Sequence, residues 1–162
     1  MIKPVVQDPD PVLHKKAEPI TRFNSTDLKK LIKDMKETLV EQDGLGLAAP
    51  QIGVALRIFV IPANVAPSVK TASIPKSLVK PIKPTVFINP EITFYSKDKE
   101  TSDEGCLSVK GIFRPTPRST KVKIKALDEQ GRKLSVTAEG LLARIFQHET
   151  DHLNGTLFIE RI

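Results

Sequence analysis

Apolar residues recur at helical spacing near the start of the chain: Leu28, Leu31, Ile32, Met35 and Leu39. This spacing predicts an amphipathic helix over 25–41, with Ser25 able to cap its start and Asp43-Gly44 able to stop it. A second helix is predicted over 138–153, with Thr137 as its cap and Glu139 favourable in its first turn. Between them the pattern turns to β. Residues 121–126 alternate, with Val122, Ile124 and Ala126 on one face and lysines on the other. Asp128-Glu129-Gln130-Gly131 reads as a turn into a further strand over 133–136. Short β runs are predicted at 57–61, 85–89 and 92–95, the last two around Asn89-Pro90. The first twenty residues hold Pro4, Pro9, Pro11 and Pro19 and read as an extended arm laid over a core. Residues 62–84 hold five prolines, four lysines and no acid, which predicts a long exposed loop. The whole predicts an α+β fold: short antiparallel strands packed around a central helix, with a second helix near the N-terminus.

Composition narrows the function classes. At 162 residues, with 40% hydrophobic and 27% charged, the chain suits one domain spanning 1–162. No run approaches the ~20 apolar residues of a membrane helix, and Met1-Ile2-Lys3-Pro4 lacks the apolar core of a secretory signal. A cytoplasmic protein of bacterial type, or an organellar one, is therefore expected, with no membrane partner. The lone Cys106 forms no internal disulfide, which agrees with a reducing compartment. The net charge of +6 admits a nucleic-acid partner. Lys110, Arg114, Arg118, Lys121, Lys123 and Lys125 follow one another with no acid between, which keeps a basic RNA-binding module as a rival reading. However, Lys121, Lys123 and Lys125 are also the outward positions of a half-buried strand. With aromatics at only 5%, stacking platforms are lacking and no specific nucleic-acid site is evident.

The densest chemistry lies in His148-Glu149-Thr150-Asp151-His152. At 100° per residue, Leu141, Ile145, His148 and His152 fall in a band about 60° wide, so both imidazoles continue the apolar face of one helix. Rings at i and i+4 can aim nitrogens at one divalent metal. Glu149 lies about 60° round from His152, close enough to serve a metal-bound water without being a ligand. Two core histidines bonded to backbone are the plainer alternative, and the adjacent Glu149 weighs against it. A third ligand is not evident downstream, where Phe158 stands where a third histidine would be sought. Upstream the candidates are His14, several carboxylates and Cys106, the last in Glu104-Gly105-Cys106-Leu107-Ser108. A thiolate would complete a three-ligand site with one open position, whereas a zinc peptidase cutting internal bonds would take another ligand. The segment Gly44-Leu45-Gly46-Leu47-Ala48-Ala49-Pro50-Gln51-Ile52-Gly53 leaves a helix rather than opening one, so it is no phosphate loop. Its small residues suit close backbone approach to a ligand, with Gln51 the one amide donor.

These three segments, in this order, resemble the three motifs of the peptide deformylases. The likeness extends to the arm 10–13 and to 121–128, so it covers most of the chain. The resemblance implies one divalent metal, natively iron(II), held by Cys106, His148 and His152 with water in the fourth position; nickel(II), cobalt(II) or zinc(II) could substitute. It implies removal of the formyl group from the N-terminal formylmethionine of new polypeptides, with Glu149 as general base and then acid. It also implies Gln51 and the Leu107 N–H as oxyanion donors. The expected partners are formylated nascent peptides, met at the ribosome, each lying as a strand near Gly46 and Gly105. Leu45, Leu141 and Ile145 could line a slot for the methionine side chain. Arg144, beside them in sequence, is expected to carry its head outwards. Glu104 and Asp151 are candidates to orient a histidine, with Arg118 as an ion-pair partner. The chain as given stops soon after the second helix, without the C-terminal helix that some members carry, and the proline-rich 62–84 is longer than in many.

Overall fold

The computed structural model describes residues 1–63 and 85–161. The expected proline-rich loop therefore lies, from residue 64 to 84, outside the described residues. Helix α1 spans Thr26–Gln42; the Ser25 hydroxyl accepts from the Leu28 N–H at 3.1 Å, and Asp43 ends the helix in the left-handed region at φ 49°. Seven strands follow: β1 Leu47–Ala48, β2 Ile58–Val60, β3 Val86–Tyr95, β4 Lys99–Cys106, β5 Val109–Ser119, β6 Lys121–Leu127 and β7 Lys133–Glu139. Helix α2 is Gly140–Leu153. Among the described residues, one antiparallel sheet has the order β1-β2-β3-β6-β7, and β4 pairs with β5 as a separate hairpin. The expected α+β class holds, with antiparallel strands around α2 and α1 as the second helix.

Burial on both faces of β2 and of the first residues of β3, Val86 to Ile88, explains their continuous apolar runs. Phe59 and Phe87 point to one face and pack on Phe146 of α2, with centroids 4.9 Å (Phe87–Phe146) and 6.0 Å (Phe59–Phe146) apart. Ile58, Val60, Val86 and Ile88 point to the other and meet Leu28, Ile32, Met35 and Leu39 of α1. The sheet is thus held between the two helices, and α2 has its histidine-bearing turns fixed against an aromatic floor.

Three boundaries differ from expectation for physical reasons. The strands expected at 85–89 and 92–95 are one strand, β3, with irregular register at Asn89-Pro90. Asn89, at φ 49°, turns its amide to the arm: it accepts from the Ile20 N–H and donates to the Ile20 carbonyl, both at 2.8 Å. Thr137 is not a helix cap, because β7 continues to Glu139 and Thr137 pairs with Lys123. Gly140, at φ 61°, then makes the abrupt passage from strand to helix that a residue with a side chain would resist. No element was expected over 109–119, where β5 runs.

Candidate metal centre

Helix α2 places His148 and His152 one turn apart, and the β4–β5 turn brings Cys106 to meet them. Among the described residues, one group of three Cys, His, Asp or Glu side chains offers donor atoms within 4.8 Å of one another: Cys106, His148 and His152. The two Nε2 atoms are 3.2 Å apart, and Cys106 Sγ lies 3.4 Å from His152 Nε2. Tetrahedral coordination with metal–nitrogen bonds of about 2.0–2.1 Å and metal–sulfur bonds of about 2.3 Å requires edges of about 3.3–3.6 Å. The three donors fit a single ion. His14, the other candidate, is instead engaged by Asp8 at 2.7 Å and by Glu160 at 3.4 Å.

Charges buried behind the donors set their polarity. His148 Nδ1 donates to Glu104 Oε1 at 2.8 Å, which leaves Nε2 facing Cys106 and His152. Glu104 is held in turn by Arg118, whose Nε and Nη2 donate at 2.8 and 2.9 Å. Arg118 Nη1 reaches Asp151 Oδ2 at 2.6 Å, and Arg161 closes the chain on Asp151. Burial alone would raise the Glu104 carboxyl, but Arg118 and His148 bring it well below the usual carboxylate range. Burial alone would lower His148; the Cys106 sulfur and Glu104 outweigh it and push the ring up to about 10. Burial and the neighbouring His148 charge drive His152 well below its ordinary value. The three donors face one another, with the Glu104 carboxylate behind His148, an arrangement that suits a divalent ion.

Glu149 stands beside this cluster without belonging to it. Its Oε2 is buried and has no hydrogen-bond partner among the described residues, and burial raises its carboxyl to about 7. Across from it, Gln51 is only 1% exposed and locked at both ends of its amide. Its Oε1 accepts from the Ala48 N–H at 2.9 Å, while its Nε2 donates toward Ser108 Oγ at 3.3 Å and Cys106 Sγ at 3.5 Å. The amide orientation is therefore determined, with its donors facing the metal side.

A cavity of about 450 Å³ opens over these groups, lined by Leu45, Gly46, Gln51, Gly105, Cys106, Leu107, Leu141, Ile145, His148 and Glu149 among others. Of the residues expected to bind metal or substrate or to act in catalysis, all but His152, which lies behind the others at 1% exposure, line it; Asp151, Arg118 and His14 do not. Arg144 departs from expectation. It turns inward, donating to Glu104 Oε2 at 2.6 Å and to the carbonyls of Thr116 and Glu100 at 2.8 and 2.7 Å. The hairpin lies over that side of α2 and supplies acceptors that the helix alone does not.

Sequence reasoning missed two further supports. Ser108, fully buried, fixes the Gln51 amide, and its place two residues after Cys106 was the available signal. Gln147 bonds both the N–H and the carbonyl of Ser119, at 3.0 and 2.9 Å, tying α2 to the end of β5. Its place beside His148 on a buried face could have revealed it.

Gly46 has its own requirement. A Cβ there would lie 2.5 Å from Glu149 Oε1 and 2.8 Å from its Cδ. Gly46→Ala is therefore expected to push the carboxylate aside, lowering turnover by about 10²-fold or more while metal content stays unchanged. Paired measurements of kcat and metal per chain check this; unaltered kcat would show that the carboxylate has room to spare.

The wider likenesses agree with this site. A family profile for polypeptide deformylases matches residues 2–162. The peptide deformylase of Pseudothermotoga lettingae is 43% identical over 162 residues, covering 100% of this chain and 84% of that protein. The crystal structure of peptide deformylase from Thermotoga maritima superposes with a TM-score of 0.85 at 40% identity, covering 100% of this chain and 98% of that one. A Met-Ala-Ser-bound class I type b peptide deformylase from Acinetobacter baumannii gives 0.87 at 34% identity, covering 100% and 99%. No helix of the described residues is long and apolar enough to cross a membrane. A chain matched from end to end, carrying a Cys/His/His cluster beside a buried glutamate, belongs to the polypeptide deformylase family, metallohydrolases that take the formyl group from nascent peptides.

Proposed function

We propose that Cys106, His148 and His152 hold one divalent ion, natively iron(II), and that Glu149, Gln51 and the Leu107 N–H carry out deformylation of N-formylmethionyl peptides around it. The observation that carries this reading is the convergence of three donors beside a buried carboxylate with an unpartnered oxygen, Glu149 Oε2. A divalent ion bound there supplies a nucleophile at neutral pH by acidifying its water and polarises the formyl carbonyl. Glu149 Oε2 is placed to take the water's proton and to return it to the leaving amine, as general acid–base catalysis requires. The Gln51 Nε2–H and Leu107 N–H are the chain's donors for the oxyanion that develops on the formyl oxygen. Ala48 and Ser108 hold the Gln51 amide, so only the long contact with Cys106 Sγ gives way when the second Nε2–H turns to the oxyanion.

The substrate's methionine side chain enters the cavity between Leu141 and Ile145, with Leu45 at the mouth. Its backbone lies between Gly46 and Gly105. Support comes from the sheet edges: among the described residues β1 pairs only with β2 and β4 only with β5, and Gly46 beside β1 and Gly105 on β4 line the cavity. An extended peptide can add to such edges. Formylated termini belong to newly made chains, so the cytoplasm or an organelle matrix, at the ribosome, is the proposed place of action.

The test is formate release from formyl-Met-Ala-Ser, with products weighed by mass spectrometry. Loss of formate that a chelator abolishes supports the reading; cleavage of an internal bond would favour a zinc peptidase instead. The choice of iron has a separate check. Soft and borderline donors of this set accept iron(II), cobalt(II), nickel(II) or zinc(II) alike. Protein stripped and reloaded with iron(II) is expected to lose activity in air within a normal preparation, through oxidation of the ion or of the Cys106 sulfur. The nickel form should persist with comparable turnover. An iron form as durable as the nickel form would contradict the oxidation argument.

A further inference from the structure

Register on the β4–β5 hairpin is regular from Lys99↔Ser119 to Glu104↔Arg114, then jumps to Cys106↔Val109. Gly105 on β4 therefore faces four residues on β5, Lys110, Gly111, Ile112 and Phe113. Such a bulge re-aims the side chains it carries. Here it lays the Phe113 ring directly over Gly105, so closely that a Cβ on Gly105 would overlap the ring. Yet Phe113 is 72% exposed. A large aromatic side chain is thus held at the cavity wall, next in space to a metal-binding cysteine, with most of its surface in water. Leu45, 50% exposed, lines the same cavity. Singly exposed apolar residues are ordinary on a surface, but two that line one cavity give it an apolar rim for what enters.

We infer that Phe113 is a specificity-determining residue that contacts the side chain of the second residue of the substrate, giving preference to apolar and aromatic residues there. The inference rests on the deformylase reading above. Along an extended peptide, successive side chains point to opposite faces. With the methionine side chain directed inward between Leu141 and Ile145, the next side chain points outward, to the rim where Phe113 and Leu45 stand. Asp103 lines the same wall, and Arg144 beside it is already engaged by Glu104, so an acidic second residue meets an unfavourable field. An aromatic second residue gains a ring partner instead.

The experiment is kcat/KM for formyl-Met-X-Ser, with X as Ala, Phe or Asp, together with calorimetric binding of the product peptides Met-X-Ser. Wild type should favour X = Phe over Ala by about 3- to 10-fold and disfavour Asp. Phe113→Ala should bring the Phe/Ala ratio close to one in both measurements. Phe113→Tyr, which keeps the ring, should retain the preference, and Phe113→Arg should shift it toward Asp. A ratio unchanged in Phe113→Ala, or a wild type indifferent to X, overturns the inference while leaving deformylation standing. A wild type that releases formate from none of the peptides overturns the deformylase reading itself.

Discussion

Cys106→Ala is expected to leave the protein without its metal and with turnover below detection. The argument is one of donor count. The site brings together three ligand atoms, and two imidazoles alone form an incomplete catalytic set. Losing even an outer partner of a metal ligand costs about 10–100-fold in affinity or activity, so losing a ligand should cost more. Cys106 also packs in the small cluster of Leu13, Val109, Leu157 and Phe158, so part of the effect could come from lost packing. Cys106→Ser separates the two, because it preserves volume while exchanging thiolate for a poor ligand. Metal per chain, read alongside thermal stability, is the measurement. A Cys106→Ser protein that keeps one metal and full turnover would remove the thiolate from the site.

Glu149→Gln should do the opposite: keep the metal and lose the reaction. The carboxylate is not among the converging donors, so exchanging it for an amide leaves coordination intact. The amide has nearly the same shape and meets the same bare backbone at Gly46, so little rearrangement follows. It cannot accept the water's proton. General acid–base catalysis contributes about 10²–10⁴-fold, and a group used in two successive transfers should sit at the upper end. Metal content falling with turnover in this variant would mean that Glu149 holds the site together rather than moving a proton.

Which parts of this molecule could be read from sequence follows from how local their signals are. Helix α1 and strands β6 and β7 carry one apolar face each, so periodicity alone located them. The i, i+4 histidines were legible for the same reason, since one helix sets their relation. The β4–β5 hairpin was not. Lys99 to Asp103 are exposed on both faces, and the bulge at 110–113 breaks alternation on β5, so no period of two exists to be seen. The third ligand was therefore open from spacing alone, among His14, several carboxylates and Cys106; the orphan histidine pair favoured the thiolate, and the family resemblance picked it out. The inward turn of Arg144 has the same origin, because its acceptors, Glu104, Thr116 and Glu100, all belong to that hairpin. Thr137 misled for a different reason. A Thr before an apolar run is a sound cap signal, but pairing with β6 carries the strand through it, and the φ of Gly140 sets the true start.

We propose that one ion held by Cys106, His148 and His152 makes this protein a deformylase. This is tested most directly by titrating stripped protein anaerobically with iron(II) or nickel(II) while following formate released from formyl-Met-Ala-Ser. The predicted result is a rate that rises linearly to one metal per chain and stays level beyond it. Turnover by metal-free protein, or a rise continuing to a second equivalent, would contradict the claim.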